Sequence, residues 1–375
     1  MNEEEKALAA VIDGSSWDAF CDGLKEAGRK VIMAENTPNN ALDRAEGWRY
    51  LSRLTRAALE SFVETSDNTA PEFRRAVHET IKMGMDNPDN IYLAAPASGK
   101  YRYRITGKRG TVHYLGFGSQ AGGYSKTGSL DTTGYLESAD MQFNADGSFE
   151  IIASCEKPKQ GNWLPMKPET KLIQVRQTRL DHNNEIPAEV KIERIDGENC
   201  PRPFDPARMD TALKSAAFFA HATADLFRQW TEDFKQNTNK LPRFNPQKAL
   251  QAGGDPNIAY YHSYFSIADD EALVITATPP ECDFWNFQLG NYWLESLDYR
   301  YYPVHLNKHT AQYNSNGSVR IVIAKTNPAD LGISTKNWMN TCGRNEGTMC
   351  IRWIRATSHP DPVVTLIKLK DLTAN

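Results

Sequence analysis

The chain predicts an α+β protein that is mainly β: two duplicated antiparallel β-sandwich-like domains with an N-terminal helical segment and a helical connection. Three observations predict this. Apolar residues recur at helical spacing through the first 85 residues and again from about 213 to 234. Short stretches alternating in steps of two, punctuated by Gly and Pro, fill the remainder. One of those stretches, with its turn, is written twice. Residues 144–152 read NADGSFEII, residues 314–322 read NSNGSVRIV, and each copy is followed by an Asn-Trp pair.

The helical segment, residues 1–87, carries apolar stripes on Trp17, Phe20, Leu24, Ala27 and Val31 and on Trp48, Leu51, Leu54, Ala58 and Phe62. Phe73, Val77 and Ile81 continue at steps of four, so the helical expectation extends to Asp86-Asn87-Pro88. From residue 88 the texture is β. YRYRITGKRGTVHYLGF alternates around Gly107-Lys108-Arg109-Gly110 and reads as two strands joined by a tight turn. MQFNADGSFEIIAS reads as a second hairpin, with Gly147 supplying the positive φ its turn requires. TKLIQVRQTRL and AEVKIERI complete a first β domain spanning 88–203. A connector, 204–257, places Leu213, Ala217, Ala220, Phe227, Trp230 and Phe234 on one helical stripe. Strand texture returns for a second β domain, 258–375.

The repeat extends beyond the turn. Asn144, Gly147, Ser148 and Ile151 match Asn314, Gly317, Ser318 and Ile321; Asn162-Trp163 matches Asn337-Trp338; Val175-Arg176 matches Ile351-Arg352. The offset drifts from 170 to 176 residues, as loop insertions would produce. Three matched elements in order point to an internal duplication rather than to two similar turns.

Composition excludes several classes. A formal net charge of -4 attracts neither nucleic acid nor an anionic membrane surface. No window approaches 18 uninterrupted apolar residues, and the acidic start MNEEEKALAAVIDG lacks the features of a signal peptide. Six scattered cysteines without CxxC spacing suggest reduced, mostly buried thiols and a cytoplasmic protein. The expected partner is a small molecule, with a homo-oligomer possible.

Motif searches mostly eliminate. The glycine-rich stretch GFGSQAGGYSKTGS (116–129) has GxGxxxG spacing with no helical pattern after it, and Lys126 lacks the Gly that precedes a P-loop lysine. It reads as a loop between strands. His305 and His309 stand four apart, about 13 Å along a strand, too far to share one ion. No metal or other cofactor is therefore expected. The densest polar-aromatic run, DFWNFQLGNYWLESLDYRYYPVHLNKH (283–309), places Trp285, Phe287 and Leu289 on one strand face and Asn286 and Gln288 on the other. Interleaved amides and aromatics suit a ligand pocket; they equally suit a sheet with one core face and one solvated face. In NWMNTCGRNEGTMCIRW (337–353), Gly343 and Gly347 bracket Arg344 and Glu346 on a loop, a pair suited to orienting an anion and moving a proton or to an ordinary surface contact.

DEALVITATPPECDFWNFQLGNYWLESLDYRY, NGSVRIVIAKTNP and NWMNTCGRNEGTMCIRW together resemble the bacterial family catalogued as domain of unknown function 1214. Residues 92–194 more loosely resemble the β domain of family 1254. The resemblance implies two β-sandwich-like domains with helical additions and, by itself, no settled reaction. Trp285, Asn286, Gln288, Asn291, Trp293, Asp298, Tyr299, Arg300 and Glu346 match the family pattern. That pattern reads Gly-His-Arg-Glu-Gly where this chain has Gly343-Arg344-Asn345-Glu346-Gly347, so a role needing that histidine does not carry over.

The functional expectation is a cofactor-independent enzyme working by general acid/base chemistry on a small, partly apolar aromatic or alicyclic catabolite, in the lyase, isomerase or hydrolase class. Glu346, Asp298, Arg300 and Arg344 are the candidate catalytic residues. Trp285, Asn286, Gln288, Asn291, Trp293, Tyr299, His305 and Trp338 are the candidate ligand contacts. A carbohydrate-binding or carbohydrate-processing β-sandwich is the alternative, and an oligomerisation surface is the third.

Overall fold

The structure is a computed structural model describing residues 1–123, 129–251 and 253–374. The chain divides into two compact units. The first holds Met1–Ile81, Asn90–Leu226 and Gln251–Gly253; the second holds Lys82–Asp89, Phe227–Leu250 and Gly254–Asn375. The second unit thus takes a short segment from ahead of the first β domain.

Helices α1 (Glu3–Ile12), α2 (Ser15–Ala27) and α3 (Ala41–Leu59) open the chain, and α4 (Pro206–Lys235) and α5 (Pro246–Gln251) form the connection. Asn2 starts α1 with a reciprocal cap: its Oδ1 accepts from Glu5 N at 2.8 Å while Glu5 Oε2 accepts from Asn2 N at 2.9 Å. Asn40 caps α3 through Asp43 N. Phe20, Ala58, Leu213, Ala216 and Ala217 bury the apolar stripes together. The stripe expected to run on through Phe73, Val77 and Ile81 is not helical. Residues Arg74–Val77 form strand β1, and His78 bridges to Ile81 in a tight turn. Three residues at steps of four are too few to distinguish a helix, and pairing with a neighbouring strand decided the outcome.

The first unit continues with β2 (Asn90–Pro96), β3 (Tyr103–Lys108), β4 (Tyr114–Gly123), β5 (Ser129–Glu137), β6 (Ser148–Ser154), β7 (Asn162–Pro165), β8 (Leu172–Thr178) and β9 (Glu189–Arg194). They form sheets of order β1-β2-β8-β4-β5 and β7-β6-β3-β9. Ile105, Phe117, Phe149, Ile151, Ile173 and Val175, drawn from both sheets, share one core. The second unit contains β10 (Ile258–Ser266), β11 (Glu271–Ala277), β12 (Phe284–Gly290), β13 (His305–Asn307), β14 (Val319–Ala324), β15 (Asn337–Asn340), β16 (Glu346–Ile354) and β17 (Val363–Lys368). Its sheets run β10-β16-β12-β13 and β15-β14-β11-β17, around a core that includes Phe265, Ile275, Trp285, Phe287, Ile321 and Trp353. Setting β2 against β10 and counting on, the two strand orders coincide, with β1 as an extra edge.

The duplication reaches individual hydrogen bonds. Gly147 and Gly317 have φ of 78° and 79°. Asn144 Nδ2 donates to Ser148 Oγ at 2.9 Å, and Asn314 Nδ2 to Ser318 Oγ at 3.0 Å. Asn162 Oδ1 accepts from Gln142 N while its Nδ2 donates to the carbonyls of Gln142 and Glu150. Asn337 does the same with Gln312 N and the carbonyls of Gln312 and Arg320. Trp163 and Trp338 donate from Nε1 to Ser154 O and Ala324 O, each at 3.1 Å. Each asparagine therefore locks a short strand that pairs in parallel, β7 on β6 and β15 on β14, within otherwise antiparallel sheets. Asn162→Ala and Asn337→Ala are each expected to lower stability by about 2–3 kcal/mol, because three backbone partners lose their mate at once. Urea titrations of the two variants check this, and similar losses at both sites are the expected outcome.

Two hairpin expectations are corrected. The turn at 109–113 joins β3 to β4, which lie in different sheets, and the turn at 144–147 leads into β6 without a paired strand before it. Turn chemistry reports a chain reversal but not which sheet receives the next strand. The glycine-rich stretch from Gly116 to Gly123 belongs to β4 rather than to a loop, while Lys126 lies outside the described residues. No disulfide joins the cysteines, but only Cys282 and Cys350 are buried, and Cys155 and Cys200 are exposed. No helix among the described residues is long and apolar enough to cross a membrane.

Candidate functional site

Alternation along β12 turns Trp285, Phe287 and Leu289 into the core and leaves Asn286 and Gln288 on the opposite face. Strand register arranges that face in rows. Tyr260, Arg352, Asn286 and Asn307 stand abreast across β10, β16, β12 and β13; His262, Cys350, Gln288 and His305 form the next row. A solvated polar face was one expectation, yet Asn286, Gln288, Asn307 and Arg352 are buried. The segment Lys82–Asp89 covers them.

Each amide meets a partner on that segment. Asn286 Nδ2 donates to Asn87 Oδ1 at 2.5 Å and to Asp89 Oδ2 at 2.8 Å. Asn307 Nδ2 donates to Asp89 Oδ1 at 2.8 Å, and Gln288 Nε2 to Asp86 O at 2.8 Å. Arg352 donates to Gln288 Oε1, Asn286 Oδ1 and Met85 O. Asp86 accepts from the N–H and hydroxyl of Ser296 at 2.9 and 2.8 Å, and Lys82 Nζ donates to the carbonyls of Ser296 and Leu297 at 2.7 and 3.1 Å. The segment enters through left-handed backbone at Gly84 and Met85 (φ 62° and 59°), which lets Met85 N reach Leu294 O at 2.7 Å. A buried face of this kind is tolerable only when its hydrogen-bonding groups are matched, as those of Asn286, Gln288, Asn307 and Arg352 are.

His305 stands at the edge of the network. Its Nε2 lies 2.8 Å from Asp89 Oδ1, with the Asp89 side chain fully buried and the imidazole 13% exposed. A carboxylate only accepts, so against an ionised Asp89 this contact is one that His305 donates from Nε2. The Tyr299 ring lies 6.5 Å from the imidazole, centroid to centroid, with Lys82 Nζ 4.9 Å from the centre of the Tyr299 ring.

The other histidine on this face behaves differently. His262 is stacked between Phe234 and Tyr260, with interplanar angles of 2° and 9°. Burial, reinforced by the Arg352 charge, lowers its pKa to about 3. Cys350 Sγ sits 3.9 Å from His262 Nε2, but burial raises the thiol to about 11. A neutral thiol beside a neutral imidazole is not an activated nucleophile.

The remaining expected site residues lie elsewhere. Glu346 is exposed at the start of β16, where it accepts from Tyr264 Oη at 3.0 Å and Ser266 Oγ at 3.4 Å. Six residues separate it from Arg352, about 20 Å of strand. Asp298 pairs with Arg300 at 2.8 Å, and that hydrogen bond holds its pKa below the ordinary aspartate value. Arg344 closes its own loop on the carbonyls of Thr341 and Cys342. Trp285 packs against Trp353 and donates to Tyr313 Oη, and Trp293 meets Tyr292 edge-on, so both are core residues rather than pocket walls. Asn291 accepts from Trp293 N and Glu295 N and shapes a turn; Trp338 secures the parallel strand already described. The structure therefore brings together Asn286, Gln288 and His305, with Tyr299 adjacent. Sequence reasoning missed Asp86, Asn87, Asp89, Asn307 and Arg352. The sequence does mark Arg352 as half of the Val175-Arg176/Ile351-Arg352 repeat, whereas Asp86-Asn87-Pro88 reads there only as the end of the helical segment.

The family described as Protein of unknown function (DUF1214) matches residues 125–177 and 268–358. Its match thus enters the first β domain as well as the second, and the separate likeness of residues 92–194 to family 1254 is not supported. No curated protein matches. A crystal structure of an uncharacterized protein from Burkholderia cenocepacia is 45% identical, with a TM-score of 0.93, covering 97% of this chain and 100% of that one. The VPA0106 protein from Vibrio parahaemolyticus is 10% identical with a TM-score of 0.48, over 86% of this chain and 98% of that one.

Proposed function

This chain belongs to the family described as Protein of unknown function (DUF1214), and we propose that it is a proton-transfer enzyme with His305 as general base. The observation that carries this reading is the 2.8 Å contact between His305 Nε2 and a fully buried carboxylate. Asp89 is fixed by Asn286 and Asn307, so it holds the imidazole in one tautomer and orientation and stabilises the imidazolium that forms when Nδ1 takes a proton. Tyr299 offers an aromatic wall beside the base. The substrate class is a small, partly apolar metabolite with an acidic C–H or O–H, and the reaction an isomerisation or elimination that needs no other cofactor. Glu346 and Arg344 leave the catalytic set in this proposal.

Incubating the full chain with a metabolite extract in heavy water, followed by mass spectrometry, tests it. Wild type is expected to incorporate deuterium into, or interconvert, at least one metabolite. His305→Gln, which still reaches Asp89, is expected to lose about 100-fold or more in rate, with Asp89→Asn intermediate. A rate unchanged in His305→Gln, or no exchange in wild type, would remove the proposal.

A further inference from the structure

Strand β17, VVTLIK, ends the sheet β15-β14-β11-β17, with β11 on one side and no strand on the other among the described residues. Register fixes which of its backbone groups point outward. Leu369 N donates to Asp270 O at 2.8 Å, so Val363, Thr365 and Ile367 are the residues hydrogen-bonded to β11. The N–H and C=O groups of Val364, Leu366 and Lys368 therefore point away from the sheet. None of them is bonded among the described residues.

The duplication shows how the same edge is closed in the first unit. Ile105 and Ile275 stand at matching places opposite Ile151 and Ile321, and their partners on the edge strands are Ile192 and Val364. Counting from there, Lys191, Glu193 and Arg194 of β9 correspond to Val363, Thr365 and Leu366 of β17. The outward N–H of Arg194 is taken by Asn199 Oδ1 at 3.0 Å, and its guanidinium lies 3.9 Å from the centre of the Tyr101 ring. The first copy thus carries charges and a plug where the second carries neither. Val363 is 66% exposed and Leu366 43%. In the other sheet of the second unit, the β10 edge is covered by Asn239 N and Phe244 N, which reach Tyr264 O and Tyr260 O. A bare edge with exposed apolar side chains is a template for another strand.

We infer that β17 is the docking edge for a second copy of this chain, joined to it as an antiparallel two-fold dimer. An axis at Leu366 sets Val364 opposite Lys368 of the second copy and Leu366 opposite its own counterpart. In that register every outward N–H of β17 meets an outward C=O of the other β17. The two leucines cover each other at the axis. The Lys368 ammonium groups stay apart, because each lies opposite a valine and pairs with Asp270 and Glu271 of its own chain. The same axis on β9 would set Arg194 against Arg194, so charge bars the first copy from this pairing. Two four-stranded sheets become one continuous sheet, and the pairing uses up the edge on both chains, so assembly stops at two. One strand pair buries less than an obligate interface, which makes the dimer reversible. The inference does not depend on the role of His305.

Sedimentation equilibrium of the full chain over about 1 μM to 1 mM tests it, with hydrogen exchange of residues 363–368 read by mass spectrometry at both ends of that range. Wild type is expected to pass from monomer to dimer and no further, and its 363–368 amides to exchange more slowly in the dimer. Leu366→Arg, which installs the first copy's residue, brings two like charges together at the axis. It is expected to weaken association about 100-fold or more at an unchanged far-ultraviolet circular dichroism spectrum. The exchange measurement needs no variant and decides the matter even if that one fails to fold. A monomer at every concentration, a dimer that survives Leu366→Arg, or a dimer whose 363–368 amides exchange as fast as the monomer's would each overturn the inference.

Discussion

Replacing His262 with phenylalanine is expected to remove most of the acid sensitivity that the second unit shows between pH 6.5 and 4.5. His262 is held neutral, with its pKa lowered from 6.5 to about 3 by burial and by the Arg352 charge. In the unfolded chain the imidazole takes up a proton near its ordinary pKa, so below that pH the unfolded state binds one proton more than the folded state. Stability is therefore complete above about pH 6.5 and falls by about 1.4 kcal/mol per pH unit below it, until the folded pKa is reached. Over the whole window the loss is on the order of 4–5 kcal/mol. His359, lowered by burial and by Arg243, adds in the same direction with a smaller share. Phenylalanine keeps a ring between Phe234 and Tyr260 and also deletes Nδ1, which has no hydrogen-bond partner among the described residues. Urea titrations at pH 7 and pH 5 check the prediction. The wild-type midpoint should fall between them and the variant's should barely move; equal acid sensitivity in both would place the protonation elsewhere.

Arg352→Met is expected to lower the stability of the second unit by about 3–5 kcal/mol, since it removes one partner of a buried charged network rather than the network as a whole. The carbonyl of Met85 and the amide oxygens of Asn286 and Gln288 each lose a donor while staying beneath the same cover. Lysine at this position should recover only part of the loss, because an ammonium lacks the guanidinium fork that spans three acceptors. Trp285, Trp293 and Trp353 are buried in this unit, so their fluorescence during urea unfolding reports the change. A loss below about 1 kcal/mol would mean that water replaces the guanidinium and that the face is less tightly sealed.

The duplicated fold was legible because its markers are local. Asn-x-Gly-Ser makes its turn from four residues, and the Asn-Trp pair recurs wherever the short parallel strand must be held. The split of Trp285, Phe287 and Leu289 from Asn286 and Gln288 followed from strand alternation in the same way. What covers the amide face was not legible. Asn286 pairs with residues nearly 200 positions upstream and Arg352 with Met85, 267 positions away. No spacing rule reaches that far. The same limit explains why Glu346 and Arg300 drew attention while Asp89 did not: a carboxylate gains its role from what surrounds it, and the donors around Asp89 come from β12 and β13.

The segment Lys82–Asp89 also changes what counts as a domain in this chain. Because it completes the second unit while preceding the first β domain, that first β domain is an insertion, spliced between a strap and its seat. A polypeptide beginning after Asp89 would contain every strand of the second sandwich and still expose the carbonyl- and carboxylate-seeking donors of Asn286, Asn307 and Arg352. During synthesis the strap emerges early and waits through the whole of the first β domain before its seat exists. The two halves of the duplication are sequential in ancestry but interlocked in connectivity, and a single proteolytic cut between them releases no self-sufficient second half.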